Sequence, residues 1–195
     1  MDNKWFTIET EDGETILKKC VREAEGNIEV PTGTTTIDYF AFRNCKNITS
    51  VILPDGLEQI NQGAFEDCSG LSSVTIPDSV KRISRNAFKD CTGLSSVEIP
   101  NKSYIHKLAF DNCIGLTSVK IPDEAIIENE AFSKCTNIKE IILPKRIVAL
   151  REYAFQRLDY IFDGVDLTRC VLIAPKEVKE ELVTHYFEKY KIKFE

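Results

Sequence analysis

The chain has 195 residues, 43% of them hydrophobic and 29% charged, with a formal net charge of −6. That acidic balance lacks the basic stripe that meets phosphates, and so argues against a nucleic-acid binder or attraction to anionic lipid. No apolar run approaches the roughly 20 residues that span a bilayer, and seven cysteines, an odd number in a chain this long, favour free thiols over a disulfide framework.

The first element is a hairpin. Residues 5–21, WFTIETEDGETILKKCV, alternate apolar and polar around Glu11-Asp12-Gly13. Asp-Gly between such runs predicts a two-residue turn. We read residues 1–27 as an N-terminal cap, with Trp5 packing on the first turn. The opening MDNKWFTIETEDGE lacks the charged-then-apolar plan of a secretory signal. As it stands the chain reads as cytoplasmic; removal of a leader would make it extracellular or cell-surface.

A repeat follows. Ala-Phe occurs at 41–42, 64–65, 87–88, 109–110, 131–132 and 154–155, with Phe-to-Phe steps of 23, 23, 22, 22 and 23. Cys45, Cys68, Cys91, Cys113 and Cys135 stand three residues after the first five of these Phe; Leu158 takes that place in the sixth. Three residues after each cysteine comes Ile or Leu, then a short run that ends in proline, such as Val74-Thr75-Ile76-Pro77. Phe to Pro is always 12 residues, whereas Pro to the next Ala is 10 or, after Pro100 and Pro122, 9. Strict spacing is what a stacked strand needs, because a one-residue slip turns every side chain to the other face. The return leg is expected to be less constrained. Gly70, Gly93, Gly115, Asn47 and Asn137 precede the residue that opens each strand and predict a tight corner with positive φ. One such turn cannot bury its apolar side alone, and stacked turns can. Residues 1–195 are therefore expected to form a single elongated repeat domain, with about six repeats of 22–23 residues over 28–158.

The chain closes with a C-terminal cap over 159–195. Val178, Leu182, Val183, Tyr186, Phe187 and Tyr190 share one face at helical spacing, which predicts a helix over about 176–190. Lys191–Phe194 is expected to add a short strand.

The residues offer little chemistry. A straight column of thiols does not converge on zinc, and no C-x-x-C pair occurs. Free cysteine packs as a small hydrophobe, which makes the five repeat cysteines a core ladder; Cys20 and Cys170 have no assigned role. His106 and His185 fall in unrelated elements, and no nucleophile elbow, zinc helix or phosphate loop is present. Asp55, Asp78 and Asp123 follow strand-ending prolines, but Asn101 and Lys145 break the row that calcium would need. No catalytic residue, metal or cofactor is expected.

The order cysteine, Leu or Ile, Val-x-Ile-type strand, Pro, spaced apolar pair, Ala-Phe resembles the BspA-like leucine-rich-repeat family over about residues 28–158. Ser103 and Ala125 depart from it, since a larger apolar residue is usual there. The resemblance implies a leucine-rich-repeat solenoid, a right-handed β/α-type horseshoe of mostly short parallel strands and turns, with a hairpin cap and a helical cap. It implies a bacterial surface or adhesin-like recognition protein that binds a protein or peptide, not an enzyme.

Strand alternation turns two columns outward on the expected concave face. They are Ile52, Thr75, Glu98, Lys120 and Ile142, continued from Glu29, and Ser50, Ser73, Ser96, Ser118 and Glu140. These ten repeat positions, Ser50 to Ile142, are the candidate binding residues, with Ile52 and Ile142 as exposed apolar points. Glu98 and Lys120 look like a cross-turn pair. Two other readings are a carbohydrate-binding or carbohydrate-active parallel β-helix, and a structural spacer. The partner's identity and the oligomeric state are not written in the sequence.

Overall fold

A computed structural model describes residues 4–144, 154–176 and 190–195. The chain begins with the hairpin, β1 (Phe6–Glu11) and β2 (Glu14–Cys20), paired antiparallel. Asp12 and Gly13 both have positive φ, 50° and 84°, the combination that a two-residue turn matched to strand twist requires. Strands then alternate between two sides of a coil. They are β3 (Gly26–Glu29), β4 (Thr36–Ile37), β5 (Ile48–Ile52), β6 (Gln59–Ile60) and β7 (Ser73–Thr75). The same alternation continues with β8 (Arg82–Ile83), β9 (Ser96–Glu98), β10 (Tyr104–Ile105), β11 (Ser118–Lys120), β12 (Ile126–Ile127) and β13 (Glu140–Ile142).

The return legs are more ordered than their variable length implies. They form one seven-stranded sheet in the order β1-β2-β4-β6-β8-β10-β12, parallel after the hairpin. Ile37, Ile60, Ile83, Ile105 and Ile127 stay in register throughout. They are strands, so the β/α character does not hold for these turns. The missing residue falls in the corner: Pro54 to Ile60 and Pro77 to Ile83 span six residues, Pro100 to Ile105 and Pro122 to Ile127 five. Ser103 and Ala125 are buried in the two shorter corners, where Leu57 and Val80 fill the longer ones. A close-packed interior matches side-chain volume to space, so the deletion and the smaller side chain go together. Ser103 also donates to Pro100 O at 2.6 Å, which satisfies its buried hydroxyl.

The other side carries β3-β5-β7 and a five-stranded sheet that runs from β9 through β11 and β13 to β14 (Val171–Ala174) and β15 (Lys191–Phe194), all parallel. Ser95 N–H to Ser72 O, 3.1 Å, carries the ladder from one set to the other. The expected closing strand at Lys191–Phe194 is therefore present. The helix expected over 176–190 lies outside the described residues, apart from its end positions.

Between the two sides the Phe rings stack. Phe42, Phe65, Phe88, Phe110, Phe132 and Phe162 have successive centroid distances of 4.6, 4.9, 5.1, 5.0 and 5.2 Å, and all are shielded from solvent. Each such burial is worth about 1.5–3 kcal/mol. Phe6 of the hairpin meets Phe42 edge-on at 6.0 Å, and Trp5 packs partly buried beside the core.

The sixth ring corrects the repeat. In earlier turns the Phe N–H donates to the Ala carbonyl one turn on, as Phe110 does to Ala131 at 2.8 Å. Phe132 N–H donates instead to Ile161 O at 2.9 Å, and Val165 N–H to Phe162 O in the manner of Cys135 to Phe132. Ile161-Phe162 and Val165, not Ala154-Phe155 and Leu158, complete the sixth turn. A helix, α1 (Ala154–Ile161), occupies the extra length.

The corner glycines have a different cause from the expected one. Gly70, Gly93 and Gly115 do not have positive φ, and neither do Asn47 and Asn137. A Cβ on those glycines would lie 2.2, 2.6 and 2.6 Å from the backbone oxygens of Lys46, Ser69 and Thr92 in the preceding turn. Where the series reaches Asn137, its Nδ2 donates to the equivalent oxygen, Ile114 O, at 2.8 Å. Close approach explains the glycines, and a hydrogen bond explains the asparagine. Positive φ falls two residues after each Phe, at Asn44, Asp67, Asp90, Asn112 and Lys134.

Candidate functional site

Strand register places the candidate residues as two columns on one outward surface. Ile52 pairs with Thr75 and Ser50 with Ser73. Glu98, Lys120 and Ile142 are successive neighbours, as are Ser96, Ser118 and Glu140. Between them Val51, Val74, Val97, Val119 and Ile141 point into the core, as period-two alternation requires. Thr75, Glu98, Lys120, Ser73, Ser96 and Glu140 are exposed; Ser50 and Ser118 are half-buried.

Two expectations about this surface change. Ile52 is 54% exposed, but Ile142 is half-buried. Glu98 and Lys120 are register neighbours, yet neither makes an ion pair with a described residue. The columns are also longer than the ten candidate positions. Ile173 and Lys193 continue the first, Val171 and Lys191 the second. Their signal was the run Val171-Leu172-Ile173-Ala174-Pro175, which repeats the strand-then-proline pattern. A cleft of about 700 Å³ opens along the C-terminal half of this side, with Glu98, Lys120, Ile142 and Ile173 in its lining and the corner residues Asp78 and Asp123 at its margin.

All seven cysteines are buried and free. The thiols of Cys68, Cys91, Cys113 and Cys135 donate to the carbonyls of Phe42, Phe65, Phe88 and Phe110 at 3.0–3.1 Å. Cys170 reaches Ile138 O at 3.1 Å, while Cys20 and Cys45 share Val21 O at 3.6 Å. Burial pushes the thiols of Cys68, Cys91, Cys113 and Cys170 above the usual value. They are packing residues with a weak donor, the opposite of a reactive thiolate.

The one His within the described residues joins a small polar cluster. Tyr104 hydroxyl and Lys107 N–H donate to the two oxygens of Glu128 at 2.7 and 2.6 Å, and His106 Nδ1 stands 3.7 Å from that carboxylate. Burial pushes the Glu128 carboxyl up, but the two donors outweigh it and hold it below the usual range. A carboxylate so occupied is a latch between turns. His185 lies outside the described residues. Among the described residues no three His, Cys, Asp or Glu side chains converge as a metal site needs, and no helix is long and apolar enough to cross a membrane.

A family model for the BspA type leucine rich repeat region matches residues 15–126 and 103–169, in six copies. The chain belongs to this family. The fold is also similar to several solved structures. A leucine-rich repeat protein of T. pallidum superposes with TM-score 0.68 at 23% identity, covering 74% of this chain and 71% of that one. A leucine-rich cell surface protein of Faecalibacterium prausnitzii gives 0.69 at 26% identity, covering 83% and 41%. The pneumococcal vaccine antigen PcpA gives 0.69 at 17% identity, covering 100% and 49%. The chain thus spans less than half of the latter two. No curated protein matches it. The BspA-type repeat here is a leucine-rich β-solenoid of about seven turns with little helix.

Proposed function

We propose that the chain is a non-enzymatic protein-recognition module whose outward strand face binds a protein or peptide. The carrying observation is the contrast within each strand. The inward residue repeats as Val or Ile, whereas the outward residue changes from Ile52 to Thr75, Glu98, Lys120 and Ile142. A surface that varies over a constant frame can acquire specificity without cost to the core. The likeness to a cell surface protein of F. prausnitzii supports an extracellular site of action over a cytoplasmic one. The test is capture of protein partners by the chain and by its Ile52→Asp, Ile142→Asp variant. Loss of a specific partner from the variant is expected; unchanged recovery of every partner would overturn the reading.

A further inference from the structure

The outward face is complementary to its own reversal. In order along the coil, one half of the outer column is Glu29, Ile52, Thr75 and Glu98. The other half is Lys120, Ile142, Ile173 and Lys193. Reversed onto itself, the column sets Glu98 against Lys120 and Glu29 against Lys193. Ile52 then meets Ile173, and Thr75 meets Ile142. In the second column the charged members Glu140 and Lys191 fall on Ser73 and Asn27, so no like charges meet. Resting on the proposed use of this face, we propose that its partner is a second copy of this chain, joined by a two-fold axis parallel to the strands and passing between Glu98 and Lys120.

Such an axis, lying between two facing sheets, reverses the order of turns and keeps each column opposite itself. That is the isologous contact of a closed dimer. Shape agrees with charge. The exposed Ile52 projects from one half, and the half-buried Ile142 and Ile173 lie in the cleft of the other. Glu98 and Lys120, without an ion pair among the described residues, each gain an opposite partner across the axis. Lys193, which also reaches Glu195, lies at the rim. Eight strands at roughly 4.8 Å spacing make a face about 34 Å long. With two outward residues per strand, each copy offers sixteen side chains, short of the roughly 20–30 of a standard interface. The dimer is therefore weak and salt-sensitive.

Sedimentation of the purified chain over a concentration series, at low and high salt, tests this. The wild type should shift from monomer to dimer as concentration rises. E98K places two cations against Lys120 across the axis, and K120E places two anions against Glu98. Each variant alone should weaken association at least tenfold. An equimolar mixture of the two should associate again, because every cross-axis contact then joins opposite charges. A wild type that stays monomeric, a dimer indifferent to the single changes, or a mixture that fails to associate would each overturn the proposal. A monomeric wild type whose captured partner is still lost on Ile52→Asp, Ile142→Asp would leave the recognition face standing and remove only the dimer.

Discussion

The five earlier turns and the last turn solve one packing problem with different residues. From Phe42 to Phe132 the chain supplies Ala-Phe and a cysteine at fixed intervals. The last turn inserts α1 and then delivers Ile161-Phe162 and Val165 to the same positions, with ring contact at 5.2 Å and the same backbone bonds. What is conserved through the coil is a set of places: a ring on a ring, an N–H on a carbonyl, a small apolar group beside them. The motif letters are the commonest occupants of those places.

The ladder of thiols gives the largest test of that view. The unfolded chain loses thiol protons from pH ~8.5. Burial keeps the folded thiols of Cys68, Cys91 and Cys113 protonated well beyond that. Their contribution is complete below the unfolded value and is lost as pH rises toward the folded values, at about 1.4 kcal/mol per thiol per pH unit. For these three thiols the loss is on the order of 4 kcal/mol one unit above ~8.5. Urea midpoints from pH 7 to 10 should fall steeply, and Cys91→Ala should flatten the fall by about a third. A flat profile would overturn the picture of the thiols as buried packing groups.

Next in size is the ring column. Phe88 has ring neighbours on both sides, and Phe162 has Phe132 alone among the described residues. Phe88→Ala should cost about 3–5 kcal/mol, and Phe162→Ala less. Denaturant midpoints read both; equal losses would contradict the picture of Phe162 as the end of a stack.

Corners give the smallest effect. Gly93→Ala forces a Cβ to 2.6 Å from Ser69 O and should cost about 1–3 kcal/mol. Asn137→Ala removes one exposed hydrogen bond to Ile114 O and should cost about 0.5–1.5 kcal/mol. Thermal melts that rank these the other way would show that close approach is not the reason for glycine.

Sequence periodicity was enough to find the strand side, because Phe, Cys, Val and Pro keep constant intervals there. It missed Ile161-Phe162, since a search keyed to Ala-Phe stops at Ala154-Phe155, and the seven-residue displacement is visible only once rings are seen to stack. It under-read the return legs for a physical reason. Ile83 to Ile105 keeps perfect register while the corner before it loses a residue, so the variation in length belonged to the corner and not to the strand. It located the corner glycines but assigned them to φ, because the distance between successive turns has no signature in the letters. For the face, alternation alone sufficed to choose Ile52, Thr75, Glu98 and Lys120. That Glu98 and Lys120 make no ion pair among the described residues is visible only in the structure, and the reversal symmetry needed Ile173 and Lys193 to be placed beside them.

The thiol and amide bonds between turns join residues 22 to 26 apart and rarely reach further. Under tension applied at its two ends, such a coil has no distant clamp to resist as a whole. It would peel one winding at a time, and each winding released would add about 75–80 Å of slack at the extended-chain length per residue. Such a molecule would yield in steps, and the windings still coiled would keep their outward face intact.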